Sequence, residues 1–124
     1  MRSARSAVDV WVRLVDSDAV APGSIVDASL PGEPGAFDRD LVVWRTFEGR
    51  ACVMDARCPH QWSHLGAEGF VDGDEIVCTA HFWRFDVDGV GTKLNMNGRR
   101  DIKADIDVVQ SVERDGAVWI SVED

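Results

Sequence analysis

The sequence predicts an all-β protein: an antiparallel β sandwich serving as a base, with a smaller loop-bearing subdomain attached. Three observations carry that expectation. Apolar and polar residues alternate with a period of two in several short runs. Acidic-glycine pairs of the kind that close turns separate those runs. No stretch keeps a 3.6-residue apolar period long enough to make a long helix.

In chain order, Val8-Asp9-Val10-Trp11-Val12-Arg13-Leu14 reads as the first strand. Pro31-Gly32-Glu33-Pro34-Gly35-Ala36 breaks any element and predicts a surface loop between early strands. Leu41 to Phe47 and Arg50 to Met54 are the next two strands, joined by the turn pair Glu48-Gly49. Glu75-Ile76-Val77 follows the turn Asp72-Gly73-Asp74, and Asp88-Gly89 marks another turn. Near the end, Ile106 to Val109 and Ala117 to Val122 are apolar runs that Asp115-Gly116 joins as a hairpin. There is no internal repeat and no low-complexity tail.

A chain of 124 residues with 45% hydrophobic content is sized for a single domain over residues 1–124. Such a domain buries roughly two thirds of its unfolded surface. No apolar run is long enough to cross a bilayer. The basic start, Met1-Arg2-Ser3-Ala4-Arg5-Ser6-Ala7, leads into strand-like alternation and not into a signal-peptide core, so the chain is expected in the cytoplasm with no membrane partner. The net charge of −9 argues against nucleic acid, whose phosphates would repel this surface. It favours instead a protein partner with a basic face, steered by charge and screened by salt.

The chemistry is concentrated in two short segments. Cys58-Pro59-His60 and Cys78-Thr79-Ala80-His81 each place a thiol beside an imidazole, with 17 residues and no other cysteine between them. Together they form a candidate four-ligand metal set. A structural zinc ion would also accept two thiolates and two imidazoles. Zinc modules, however, commonly pair Cys with Cys and His with His, whereas here each segment supplies one of each. Cys52 sits in an apolar strand and reads as a small buried hydrophobe, not a ligand. His64 follows His60 by four residues and is not needed for the set; a hydrogen-bonding or docking role fits it better.

The order C-x-H, then C-x2-H, resembles the signature of Rieske [2Fe-2S] proteins. Cys58-Pro59-His60-Gln61-Trp62-Ser63-His64-Leu65-Gly66 is similar to the first cluster loop of that family, and Cys78-Thr79-Ala80-His81-Phe82-Trp83-Arg84-Phe85-Asp86 to the second. With Val112 to Trp119 the likeness extends from about Leu41 to Trp119. It is greatest to bacterial Rieske ferredoxins and to the Rieske domains of ring- and steroid-hydroxylating oxygenases. The resemblance implies a Rieske-like antiparallel β sandwich with a cluster-binding subdomain at about residues 52–85. It implies a [2Fe-2S] cofactor in which Cys58 and Cys78 hold one iron and His60 and His81 the other. Two ferric ions, two sulfides, two thiolates and two neutral imidazoles sum to zero charge. An electron therefore enters more easily than in an all-cysteine cluster.

Departures from the family pattern set further expectations. Ser63 and Ala80 stand where high-potential members carry a disulfide, and Trp83 and Phe85 where they carry hydroxyl donors, so a low-potential cluster is expected. Trp62 and Phe82 stand where the loops usually carry glycine. Their rings would form an apolar rim around the cluster edge or pack against the base. The function implied is a one-electron carrier between a reductase and a terminal oxygenase, with no substrate chemistry of its own. The alternatives are an oxygenase fragment, an accessory subunit such as that of a nitrite reductase, or a zinc domain. With three histidines in all, two of them assigned to the cluster, the chain lacks the residues for a second, two-His-one-carboxylate iron site.

Overall fold

The computed structural model describes residues 9–32, 34–35, 38–59 and 62–123. Val8, the loop residues Glu33 and Ala36, and the site residues His60 and Gln61 lie outside them. The strands are β1 (Asp9–Asp16), β2 (Ile25–Leu30), β3 (Arg39–Arg45), β4 (Ala51–Asp55), β5 (Gly69–Asp72) and β6 (Glu75–Cys78). They continue as β7 (Arg84–Asp86), β8 (Gly91–Leu94), β9 (Arg100–Ile102), β10 (Val108–Val109), β11 (Ser111–Arg114) and β12 (Ala117–Glu123). A 3-10 turn covers Ser17–Ala19, and the single α-helix among the described residues, α1 (Leu65–Glu68), is one turn long.

These strands form three antiparallel sheets with orders β1-β12-β11, β10-β4-β3-β2 and β5-β6-β7-β8-β9. The middle one is buried on both faces. Leu41 and Val43 of β3 join Val53, Val109, Val118 and Ile120 on the side of the β1-β12-β11 sheet. Val42 and Trp44, with Cys52 and Met54 of β4, turn the other way and pack with Leu65, Ile76, Phe85, Cys58 and Cys78. That two-sided burial explains why Leu41-Val42-Val43-Trp44 is continuously apolar: every residue of a strand covered on both faces is a core residue. Trp44 and Phe85 are fully buried, and each such side chain contributes about 2–3 kcal/mol of apolar transfer free energy.

The hairpin at Asp115-Gly116 is present, with Asp115 and Gly116 at φ +50° and +74°. Its first arm is Ser111–Arg114, paired with Ala117–Ile120. The Ile106–Val109 run expected in that place contributes only the two-residue β10 on the edge of β4, a correction to the sequence reading. Ile106 itself is core, in irregular backbone. The described part of the Pro31–Ala36 loop, Pro31, Gly32, Pro34 and Gly35, lies exposed between β2 and β3, as expected. Among the described residues no helix is long and apolar enough to cross a membrane.

Candidate metal centre

The two Cys-His segments lie in loops with the same backbone plan. In the first, the Cys58 amide donates to the Ser63 carbonyl (2.9 Å) and the Trp62 amide returns to the Cys58 carbonyl (2.8 Å). In the second, the Cys78 amide donates to the Trp83 carbonyl (2.9 Å) and the Phe82 amide to the Cys78 carbonyl (2.7 Å). In each, the residue four places after the cysteine closes the turn in the left-handed region: Trp62 at φ +62° and Phe82 at φ +61°. A left-handed residue there reverses the chain within one tight loop, which is why glycine suits the position.

Several contacts join the loops to each other and to the base. An isolated bridge between Arg57 and His64 closes the first loop, and the Arg57 guanidinium donates to the Trp62 carbonyl (3.2 Å). The Leu65 amide reaches the Ala56 carbonyl (2.7 Å), docking the start of α1 on the end of β4. At the far end of α1, the Glu68 carbonyl accepts both the Thr79 amide (2.7 Å) and the Thr79 hydroxyl (2.8 Å). One helical turn thus ties the first loop to the second. His64 caps this turn, its Nδ1 accepting from the Gly66 amide at 3.0 Å and lying 3.9 Å from Asp27 of β2. It serves as a loop-structural residue.

Of the four expected ligands, Cys58 and Cys78 are each 1% exposed and share one core cluster. His81 lies at the surface, and His60 lies outside the described residues. Among the described residues no three His, Cys, Asp or Glu side chains are assembled as a metal-holding group. Buried sulfur on both loops and an imidazole at the solvent edge of one are donors that could hold a thiolate- and imidazole-bound metal group. Cys52 is a different case. It is buried in β4 with its thiol on the Val87 carbonyl (3.5 Å), and burial pushes the thiol up to about 12, so it stays protonated near neutrality.

Trp62 and Phe82 do not pack against the base: they are 69% and 57% exposed. Trp83, by contrast, packs on the core with Lys103 over its ring at 5.7 Å. Residues that the sequence reading missed are the supporting ones, Arg57, Glu68 and Thr79. Arg57 donates within the first loop, and Glu68 and Thr79 join that loop to the second.

A family model for the Rieske [2Fe-2S] domain matches residues 10–112. The chain belongs to the Rieske [2Fe-2S] domain family. Its cofactor is accordingly a Rieske-type [2Fe-2S] cluster, and the buried cysteines and surface imidazole fit one. Among curated relatives, this Rieske domain is 37% identical over 111 residues to cholesterol 7-desaturase nvd of Xenopus laevis, covering 89% of this chain and 23% of that protein. It is 41% identical over 59 residues to a probable 3-ketosteroid-9-alpha-monooxygenase oxygenase component of Rhodococcus rhodochrous, covering 48% of this chain and 14% of that protein. The chain thus spans about a quarter or less of the curated relatives it matches. Among solved structures, the Sphingomonas yanoikuyae B1 ferredoxin aligns with TM-score 0.71 at 24% identity, over 91% of this chain and 99% of that one. Dicamba monooxygenase aligns with TM-score 0.74 at 21% identity, over 90% of this chain and 33% of that one. The fold of this Rieske domain is therefore shared by a ferredoxin and by part of an oxygenase.

Proposed function

We propose that this chain is an electron-transfer protein that takes single electrons from a reductase and delivers them to a terminal oxygenase. In this reading residues 1–124 form one Rieske domain with its cluster-binding part at about residues 52–85, and Cys58, Cys78, His60 and His81 are the ligands. The observation that carries it is the pair of equivalent loops, each burying one cysteine, within a chain whose family is defined by this cluster. When bound, the cluster supplies a one-electron store of modest potential. The chain does the rest. Cys58 and Cys78 anchor the thiolate side in the core, Leu65, Phe85 and Trp83 exclude water behind them, and His81 brings the imidazole side to the surface. A ligand imidazole at the surface can donate its outer N–H to a partner group and so couple two redox centres.

The test is the optical and EPR spectrum of the purified, dithionite-reduced protein beside metal and sulfide analysis. Two irons per chain with acid-labile sulfide are expected, and a colourless protein with one zinc would reverse the assignment. Replacing His81 by Cys is expected to lower the potential, as thiolate replaces imidazole.

A second reading has its own support. Two curated relatives are, by name, a cholesterol 7-desaturase and the oxygenase component of a probable 3-ketosteroid-9-alpha-monooxygenase, and the chain matches only a fraction of their length. In that reading it is the cluster domain of a larger sterol- or steroid-directed oxygenase. Immunoblotting of the native polypeptide discriminates: a mass near 13.7 kDa supports the carrier, and a band several times heavier supports the domain.

A further inference from the structure

Two large rings occupy backbone positions that suit glycine, and neither is packed away. Trp62 (φ +62°) and Phe82 (φ +61°) are 69% and 57% exposed. The left-handed conformation disfavours any side chain with a Cβ, and here no burial offsets it. Asp115 (φ +50°) is the third such residue among those described, but it lies in a hairpin turn where Asp is at home. A contact with a partner outside the chain would supply what the two rings gain.

Trp62 also lines a groove of about 730 Å³ beside the first loop. Pro59 and Ile106 contribute apolar lining, and Asp40, Asp55, Asp105 and Asp107 contribute carboxylates. Among the described residues, Arg57 and Arg39 are the cations set against those four carboxylates. Arg57 lines the groove but spends a donor on the Trp62 carbonyl, and Arg39 is held by Asp55 at 2.7 Å. The groove therefore keeps a negative excess, within a chain of net charge −9.

We propose that Trp62, Phe82 and this groove form the docking face for a redox protein that presents an apolar centre rimmed by arginine or lysine side chains. Exposed aromatics are the usual anchors of such contacts, and a guanidinium or ammonium can lie over the Trp62 indole while facing the aspartates. A second copy of this chain is the poorer occupant, because two sets of carboxylates would face each other. The proposal rests on the electron-transfer reading above and names the chemistry of its partner.

The experiment uses the cluster-loaded protein, reduced and mixed by stopped flow with ferricytochrome c, a basic haem protein, or with ferricyanide, a small anion. In the first reaction one electron leaves the reduced cluster and converts ferric haem to ferrous, with no bond made or broken. The double variant Asp40→Asn/Asp107→Asn is expected to slow cytochrome reduction on the order of threefold to tenfold and to flatten its salt dependence. Trp62→Gly and Phe82→Gly are each expected to slow it about threefold relative to the same variant's ferricyanide rate, and Trp62→Tyr to restore most of that ratio. The charge-matched control Asp18→Asn/Glu48→Gln should leave the cytochrome rate as it is. Unchanged cytochrome rates in loaded groove and ring variants would overturn the proposal alone, as would an equal effect of the control pair. So would self-association of the wild type that Trp62→Gly abolishes. An iron-free wild type would remove the electron-transfer reading and this proposal together.

Discussion

At Trp62 and Phe82 the chain accepts a local conformational penalty that glycine would avoid. Trp62→Gly and Phe82→Gly should each raise the stability of the protein by roughly 0.5–1 kcal/mol, the left-handed penalty less the extra chain entropy of glycine. Urea unfolding of each variant beside the wild type measures it, and a loss of stability would show that the rings pack more than their exposure indicates. That both residues replace glycine is readable in the sequence; which way the rings face is not, because it depends on the turn each loop makes. Four other positions bear on the potential. Ser63 and Ala80 cannot join in a disulfide, while Trp83 and Phe85 offer no hydroxyl, so the midpoint should fall near the bottom of the Rieske range, about −150 mV. Protein-film voltammetry giving a value well above zero would contradict it. His64 is expected from sequence to make hydrogen bonds in its loop, but its cap on α1 needs Gly66, and its neighbour Asp27 comes from β2, far away in the chain.

Among the elements, β3, β4, β6 and β12 are plain in the sequence because burial forces apolar residues into consecutive or alternate places. The strands β2, β5, β7, β8 and β9 are not. All three residues of β9 are exposed, so no apolar pattern marks it, and β7 is three residues long, with only Phe85 buried. Pairing, not composition, makes these strands: β9 exists because Arg100, Asp101 and Ile102 meet Leu94, Lys93 and Thr92. The first arm of the last hairpin was misread for a related reason. Ser111–Arg114 is polar and pairs with β12, while the more apolar Ile106–Val109 is drawn to the edge of β4. One glycine shows how tightly this sheet is held. A Cβ at Gly91 in β8 would lie 2.0 Å from the Ala104 carbonyl oxygen, and the Gly91 carbonyl already accepts the Lys103 amide at 2.9 Å. Gly91→Ala should cost about 2–3 kcal/mol, because backbone and not a flexible side chain must move. Thermal unfolding measures the loss, and a variant of wild-type stability would show that the 103–105 segment yields freely.

Across the whole molecule, an ion pair bridges two sheets. The Arg45 guanidinium at the end of β3 holds both carboxylate oxygens of Glu113 in β11, at 2.9 and 2.6 Å, and also takes the carbonyls of Val20 (2.7 Å) and Gly49 (2.7 Å). Those hydrogen bonds from Arg45 lower the Glu113 carboxyl from its ordinary 4.5 to about 2, against the opposing effect of desolvation. A folded-state value below the unfolded one means that the contribution is complete above the ordinary carboxyl range and fades as pH falls toward 2. The urea midpoint of Glu113→Gln should therefore drop less than that of the wild type between about pH 5 and pH 2. Parallel acid curves would assign the acid sensitivity elsewhere. A similar device braces the loop-bearing sheet: Glu75 on β6 joins Arg84 (2.8 Å) and Arg100 (2.7 Å), and Arg84 reaches Asp72 as well. Between these braces, α1 acts as a strut of fixed length from the Ala56 carbonyl to Thr79, made entirely of the protein's own hydrogen bonds. Because α1 links the two loops through hydrogen bonds at both of its ends, a change at Thr79 would be transmitted to the first loop as well as felt in the second.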